Sequence, residues 1–331
     1  MTHMPAAPSL MQPAGARPPR RLGIAGLQMQ AVAGEDNIPR MARLAAHTKH
    51  RFPWVEVMLF PELSAFGTDP ARVQPLPGAA EERLAEIARR NGVWLVPGSL
   101  FERRDGAVFN TAPVIAPNGT VVARYRKMFP FRPYEHDVEA GVDFVVFDVP
   151  AGGRIGVSIC YDMWFPETTR TLAAMGADVI LHPTLTDTID REIELSIART
   201  SAAVNQCYFF DINGAGDGGV GRSLVVDPSG YVLHEAGHGQ EIIPILVDLD
   251  RVEHEREAGM RGLGQPLKSF RDRRVDFSVY DRSRFAGRYL ETLGPLAKPQ
   301  ARGAAGPTVQ KVEEAHVVRG DLGGYAATEE D

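Results

Sequence analysis

The sequence predicts an α/β protein built of packed layers with a mixed sheet. Short apolar runs alternate with stretches of 3.6-residue apolar spacing from Leu22 to Leu249, which is the pattern of strand–helix–strand units. Two hairpin signals, Pro117-Asn118-Gly119 and Asp227-Pro228-Ser229-Gly230, interrupt that alternation, so part of the sheet pairing is antiparallel. No linker-like stretch divides Leu22 from about Leu296, and this span reads as one domain although 331 residues would suffice for two.

Taken in order, Leu22 to Met29 is a strand and Ile38 to Thr48 a helix, followed by a strand from Val55 to Phe60. Glu81 to Arg90 is helical, and Val93 to Leu100, Val108 to Ala116 and Val121 to Tyr125 are strands. Phe144 to Val149 and Ile155 to Ile159 are strands ahead of a helix from Pro166 to Met175. The strand Val179 to His182 precedes a helix from Asp190 to Val204. Tyr208 to Ile212, Leu224 to Val226 and Ile242 to Leu249 close the set as strands. Residues 1–20 hold five prolines and few large apolar side chains, so they are expected to form a disordered lead. Residues 297–331 are expected to form a disordered tail or an arm on a partner subunit, leaving 21–296 as the folded domain.

Composition excludes several classes. Hydrophobic residues are 44% and charged ones 24%, as in an ordinary globular protein. With 33 glycines and 25 prolines the chain stays below the roughly one residue in four that marks low complexity. The net charge of −6 lacks the basic field needed to displace counterions, so no nucleic-acid partner is expected. No apolar run reaches the roughly 18 residues that span a bilayer, and no secretory h-region opens the chain, so no membrane association is expected. Two cysteines, Cys160 and Cys207, cannot form a disulfide framework, and a cytoplasmic setting follows.

Three patterns look functional and are set aside. Gly214 to Gly219 matches G-x-G-x-x-G after a strand, but strand-like residues rather than a helix follow it, and a flexible loop is the better account. The nine histidines show no metal-ligand spacing, so no metal and no cofactor is expected. Ser158 in Gly156-Val-Ser158-Ile-Cys160 lies inside an apolar strand and reads as a buried hydroxyl bonded to backbone.

Three other groups can do chemistry. Cys160 ends an apolar strand and precedes Pro166, where a helix begins. A thiol at such a turn sits near backbone N–H groups that favour thiolate, yet a lone cysteine serves equally as a small core residue. Glu62 follows Val55-Glu-Val-Met-Leu-Phe-Pro61; a buried carboxylate there would have a raised pKa suited to a general base, and an exposed one would be a plain loop acid. Lys127 closes a strand before the apolar Met128-Phe-Pro-Phe131, where an ammonium stabilises an oxyanion or snorkels to water. Arg124 and Arg126 compete with it, and periodicity does not choose.

At these residues the chain resembles the carbon–nitrogen hydrolase (nitrilase) superfamily, nearest its aliphatic amidase and formamidase-like members. The resemblance spans Leu22 to about Asp250 and rests on Leu59-Phe-Pro-Glu62-Leu63, Tyr125-Arg-Lys127, and Ile159-Cys160-Tyr-Asp162 with Phe165-Pro-Glu167. It implies a four-layer α-β-β-α sandwich with mixed sheets that forms a homodimer or higher homo-oligomer. It implies Glu62 as base, Lys127 as the cation that stabilises intermediates and Cys160 as nucleophile. Lys127-Met-Phe-Pro130-Phe131-Arg-Pro133-Tyr-Glu135 is similar to the segment that supplies a second glutamate, so Glu135 would position Lys127. The expected reaction is cofactor-independent hydrolysis of a small non-peptide amide through a thioester, with the Tyr161 N–H in the oxyanion hole and Trp164 and Thr184 at the substrate. A nitrilase or N-carbamoyl amine hydrolase using the same triad, and a catalytically silent scaffold, are the alternatives. Relatives acting on N-carbamoyl amino acids carry paired arginines where Met163 and Trp164 stand. Cys-Tyr-Asp-Met is similar to ω-amidases, and Trp-Phe-Pro-Glu to carbamoylputrescine amidases.

Overall fold

Leu22 and Ile24 leave the strand Arg21–Gln28 on one face, Ala25 and Leu27 on the other, and this period of two sorts the whole molecule into layers. The computed structural model describes residues 17–273, 275–281 and 288–298. The chain divides into residues 1–295 and residues 296–331; the architecture below is that of the first unit. Residues 1–16 of the expected lead and 299–331 of the expected tail lie outside the described residues. Arg17 and Arg20 are described, and both pair with Asp250 and Glu253.

Among the described residues one sheet has eight strands. Its order is Glu241–Asp248, Arg21–Gln28, Val57–Leu59, Trp94–Val96, Ala107–Ile115, Leu100–Arg104 and Gln74–Pro75, with Val121–Arg126 also paired to Ala107–Ile115. A second sheet of six runs Val232–Glu235, Leu224–Val226, Tyr208–Asn213, Val179–Thr184, Gly153–Val157, Val145–Val149. Both mix parallel and antiparallel pairs. Helices α1 (Ile38–Arg51) and α2 (Ala79–Asn91) cover the outer face of the first sheet, burying Met41, Leu44, Leu84 and Ile87 against Leu27, Met58 and Leu95. Helices α3 (Pro166–Ala174) and α4 (Arg191–Asn205) cover the second, burying Leu172, Leu195 and Ala198 against Ile180 and Phe209. Between the sheets Ile24, Val57, Leu59 and Val114 meet Val157, Leu181, Phe210 and Val225. The result is the four-layer α-β-β-α sandwich. Each large aliphatic side chain closed into these layers stabilises the fold by roughly 2 kcal/mol.

The structure differs from the sequence reading in several elements. The run from Val93 to Leu100 is two strands, Trp94–Val96 and Leu100–Arg104, because Gly98 turns the chain with φ +75°. A mostly exposed strand, Val232–Glu235, completes the second sheet's edge. After Glu241–Asp248 the chain forms α5 (Leu249–Ala258), capped by the Asp248 carboxylate on the Asp250 N–H, and then α6 (Pro266–Asp272). Gly214 to Gly219 is a tight two-strand turn paired to Gln30–Ala31 rather than a flexible loop, and no helix follows it. Ser158 is buried as expected, but its partner is His182 Nδ1 at 2.7 Å instead of backbone.

Candidate active site

The first sheet delivers two of the three expected groups. Val57–Leu59 runs out through Phe60 and Pro61, and the Glu62 N–H crosses to the Thr184 carbonyl of the second sheet at 3.3 Å. Gly98 backs this exit so closely that a Cβ there would lie 1.7 Å from the Pro61 carbonyl oxygen. Lys127 follows Val121–Arg126, its N–H donating to the Asn110 carbonyl at 2.8 Å. Its neighbours turn elsewhere: Arg124 pairs with Glu81 and Arg126 with Glu102. Pairing thus settles which of the three cations turns inward.

The second sheet delivers the sulfur. Gly153–Val157 ends, and Cys160 opens a short 3₁₀ turn, Cys160–Trp164, with φ +45°. A side-chain-bearing residue holds that conformation only when its surroundings fix it. Asp162 does the fixing. Its carboxylate accepts the Ile159 N–H at 2.8 Å, the Tyr125 hydroxyl at 2.7 Å and the Phe129 N–H at 2.8 Å. It thereby ties the cysteine turn to the strand that carries Lys127.

These groups converge. Lys127 Nζ lies 2.9 Å from Glu62 Oε1 and 2.8 Å from Glu135 Oε2. Asn110 Nδ2 donates to both carboxylates, at 2.8 Å and 3.2 Å. The Phe131 N–H also donates to Glu135. Cys160 lines the same cavity as Glu62 and Lys127. Glu62, Lys127 and Cys160 are all buried, at 3%, 2% and 8% exposure.

Burial pushes the Glu62 carboxyl up against the pull of Lys127, and Glu135 adds to the rise. Burial opposes the Lys127 charge, but Glu62, Cys160 and Glu135 outweigh it and hold the ammonium well above its usual range. Glu135 is lowered: burial works against this, and Lys127 overcomes it. Burial, then Glu62, hold the Cys160 thiol well above the ordinary thiol value. The resting site is therefore a thiol beside two carboxylates bridged by an ammonium.

Cys160 lies where two cavities meet. The wider, of 440 Å³, is lined by Glu62, Lys127, Glu135, Phe131, Tyr134 and His136 among others. A narrow cleft of 70 Å³ lies on the other flank, against Tyr161, Trp164, Thr186 and Glu194. Trp164 thus stands beside the sulfur, while Thr184 does not. Its side chain is fully buried and its hydroxyl donates to Asp211 at 2.8 Å, because Thr184 still belongs to the strand Val179–Thr184. Thr186, two residues on, lines the cleft instead. Sequence reasoning also passed over Asn110, Asp162 and Glu194. A polar residue in the apolar run Val108–Ala116 was the available signal for Asn110, and adjacency to Cys160 for Asp162. A larger apolar groove of 660 Å³ between α3 and α4 holds none of the reactive groups.

The carbon–nitrogen hydrolase family model matches residues 21–257. The chain belongs to that family and is an enzyme of its class. Among its relatives, human ω-amidase NIT2 is 28% identical over 275 residues, covering 77% of this chain and 95% of the relative. A formamidase of Bacillus cereus is 29% identical over 248 residues, 70% of this chain and 74% of its own. An amidase from Nesterenkonia sp. of known structure superposes with a TM-score of 0.64 at 27% identity, covering 74% and 97%. A glutamate-to-glutamine variant of that amidase carries the acetamide moiety of fluoroacetamide covalently on its active-site cysteine.

Proposed function

We propose that this enzyme hydrolyses small, linear, non-peptide amides to the carboxylic acid and ammonia through a cysteine thioester. The observation that carries this reading is the meeting of Cys160, Glu62 and Lys127 at one buried point between two cavities. Relatives named ω-amidase, formamidase and amidase support the amide as the bond broken.

Glu62 accepts the thiol proton as Cys160 sulfur attacks the amide carbon. The carbonyl electrons become an oxyanion, held by the Lys127 ammonium and by the Tyr161 N–H at the start of the 3₁₀ turn, where backbone donors are not used within the turn. One such donor is worth on the order of 3 kcal/mol. The intermediate collapses as Glu62 returns the proton to the departing nitrogen, releasing ammonia and leaving the thioester. Glu62 then takes a proton from water, hydroxide adds to the thioester, and the acid leaves as the thiol is restored. Glu135 keeps Lys127 charged and aimed. Trp164 walls the narrow cleft, with Thr186 taking the place expected of Thr184. Every step uses groups the chain itself supplies.

Ammonia release from a panel of amides and nitriles of graded length is the test. Amides should turn over and Cys160→Ala should be inert; activity that survives Cys160→Ala removes the assigned nucleophile. Glu62→Gln should lose about 10²–10⁴-fold. Both cysteines are free, which suits a reducing compartment such as the cytoplasm. No helix of the described residues is long and apolar enough to cross a membrane.

A further inference from the structure

Behind Thr186, at the narrow cleft beside Cys160, lies a buried polar chain whose charged members the reaction above does not use. Thr186 Oγ1 stands 3.9 Å from the sulfur and donates to Glu194 Oε1 at 3.1 Å. Glu194 Oε2 accepts from Arg191 Nη1 at 3.1 Å, and Arg191 Nη2 lies 2.8 Å from Asp211 Oδ2. Glu194, Arg191 and Asp211 are 3%, 2% and 0% exposed. Asn213 clamps the Thr186 backbone from both sides, accepting its N–H at 2.9 Å and donating to its carbonyl at 3.0 Å. With the heavy atoms fixed, the hydroxyl proton of Thr186 is the part free to choose a partner.

We propose that Thr186 and Glu194 are positioning residues that hold the resting nucleophile as a thiol by withholding a hydrogen-bond donor from its sulfur. This rests on the reading of Cys160 as nucleophile. Burial and Asp211 raise the Glu194 carboxyl while Arg191 favours its charge; while it is ionised, the Thr186 proton is committed to the carboxylate and the hydroxyl offers the sulfur only lone pairs. A thiolate would find no donor in the Thr186 hydroxyl, and the Glu194 charge opposes it as well. The proton stays on sulfur, directed to Glu62, until a carbonyl arrives. The charged groups about Cys160 are Glu62 and Lys127 with Glu135 behind them, and Glu194 with Arg191 and Asp211 behind it. Asp187 and Asp190 line the cleft, and His182 beneath is kept neutral, burial lowering it to about 4.

Glu194→Gln inverts the device in a defined way. Arg191 is a donor, so the amide oxygen must face it and the amide NH₂ must face Thr186. The Thr186 hydroxyl then accepts from the amide and turns its own proton to the sulfur. Arg191 keeps Asp211 as counter-ion, so no buried charge is stranded. The experiment measures the pH dependence of Cys160 alkylation by iodoacetamide in a Cys207→Ala background, with folding followed by melting temperature. Glu194→Gln should move the midpoint down by about one pH unit, an about tenfold faster reaction at any pH well below it. In Thr186→Val the same substitution should give less than half that shift. Thr186→Val alone should leave the midpoint near that of the parent, since the parent hydroxyl gives the sulfur nothing. An unmoved midpoint in folded Glu194→Gln, or a midpoint raised by a full unit in Thr186→Val, overturns the proposal. Because alkylation needs no substrate, these outcomes stand apart from whether amides are hydrolysed.

Discussion

Lys127 sits between two acids, and the imbalance sets the chemistry of its neighbours. Glu135 raises the Glu62 pKa through like charge, so removing that charge should leave Glu62 a weaker base. Glu135→Gln is expected to move the acidic limb of the kcat/KM profile to lower pH and to slow turnover about 10–100-fold. A profile that keeps its midpoint would show that Glu135 acts on Lys127 geometry alone. Glu62 and Cys160 were legible in the sequence as candidates because each follows an apolar strand, where a charged or thiol group is chemically out of place, whereas Lys127 was separated from Arg124 and Arg126 only by the family resemblance. The groups that support them were not legible. Asn110, Thr186 and Glu194 are ordinary polar residues until folding brings them to the site, and Thr184 stays buried because the strand runs two residues further than its apolar pattern.

At the level of elements, the meeting of two strand exits fixes the base. Gly98 has φ +75°, and its Cα faces the Pro61 carbonyl at a distance that admits no side chain. Gly98→Ala should destabilise the fold by at least about 2 kcal/mol and cut activity further than the lost folded fraction explains, because the displaced carbonyl adjoins Glu62. Denaturant midpoints and specific activity measured on the same preparation separate the two effects. The helices and central strands were legible from periodicity. The edge strand Val232–Glu235 and helix α5 were not, since the first is mostly exposed and the second is dominated by charged residues, leaving little apolar period to read.

For the whole molecule, Asp162 is a brace between the sheets with a titration of its own. Burial raises its carboxyl to about 6, above the roughly 3.9 of an unfolded chain. The folded state therefore holds the proton more tightly, and this group's contribution to stability falls as pH rises from about 4 to about 6. The change is about 3 kcal/mol. Asp162→Asn should be less stable throughout, because its amide faces the Phe129 N–H, yet its deficit should shrink by that amount across the same window; a constant deficit would contradict the raised value. Assembly is a second property at this scale. Phe270, Phe277, Tyr280 and Ile193 line the groove between α3 and α4 and are each more than half exposed. Apolar surface of that extent favours association, and a homodimer or higher homo-oligomer is expected at micromolar concentration. Light scattering that finds only monomer contradicts it.

Cys160 hangs from one slab of the sandwich while Glu62 and Lys127 hang from the other. What joins them is an apolar seam crossed near the site by the Asp162 brace and the Glu62–Thr184 bond, so the enzyme is in effect a vernier that reads how the slabs are aligned. A slip of an ångström along that seam would leave every ladder intact and still part sulfur from carboxylate. Mild pressure or low urea should thus silence the protein before its far-ultraviolet spectrum changes.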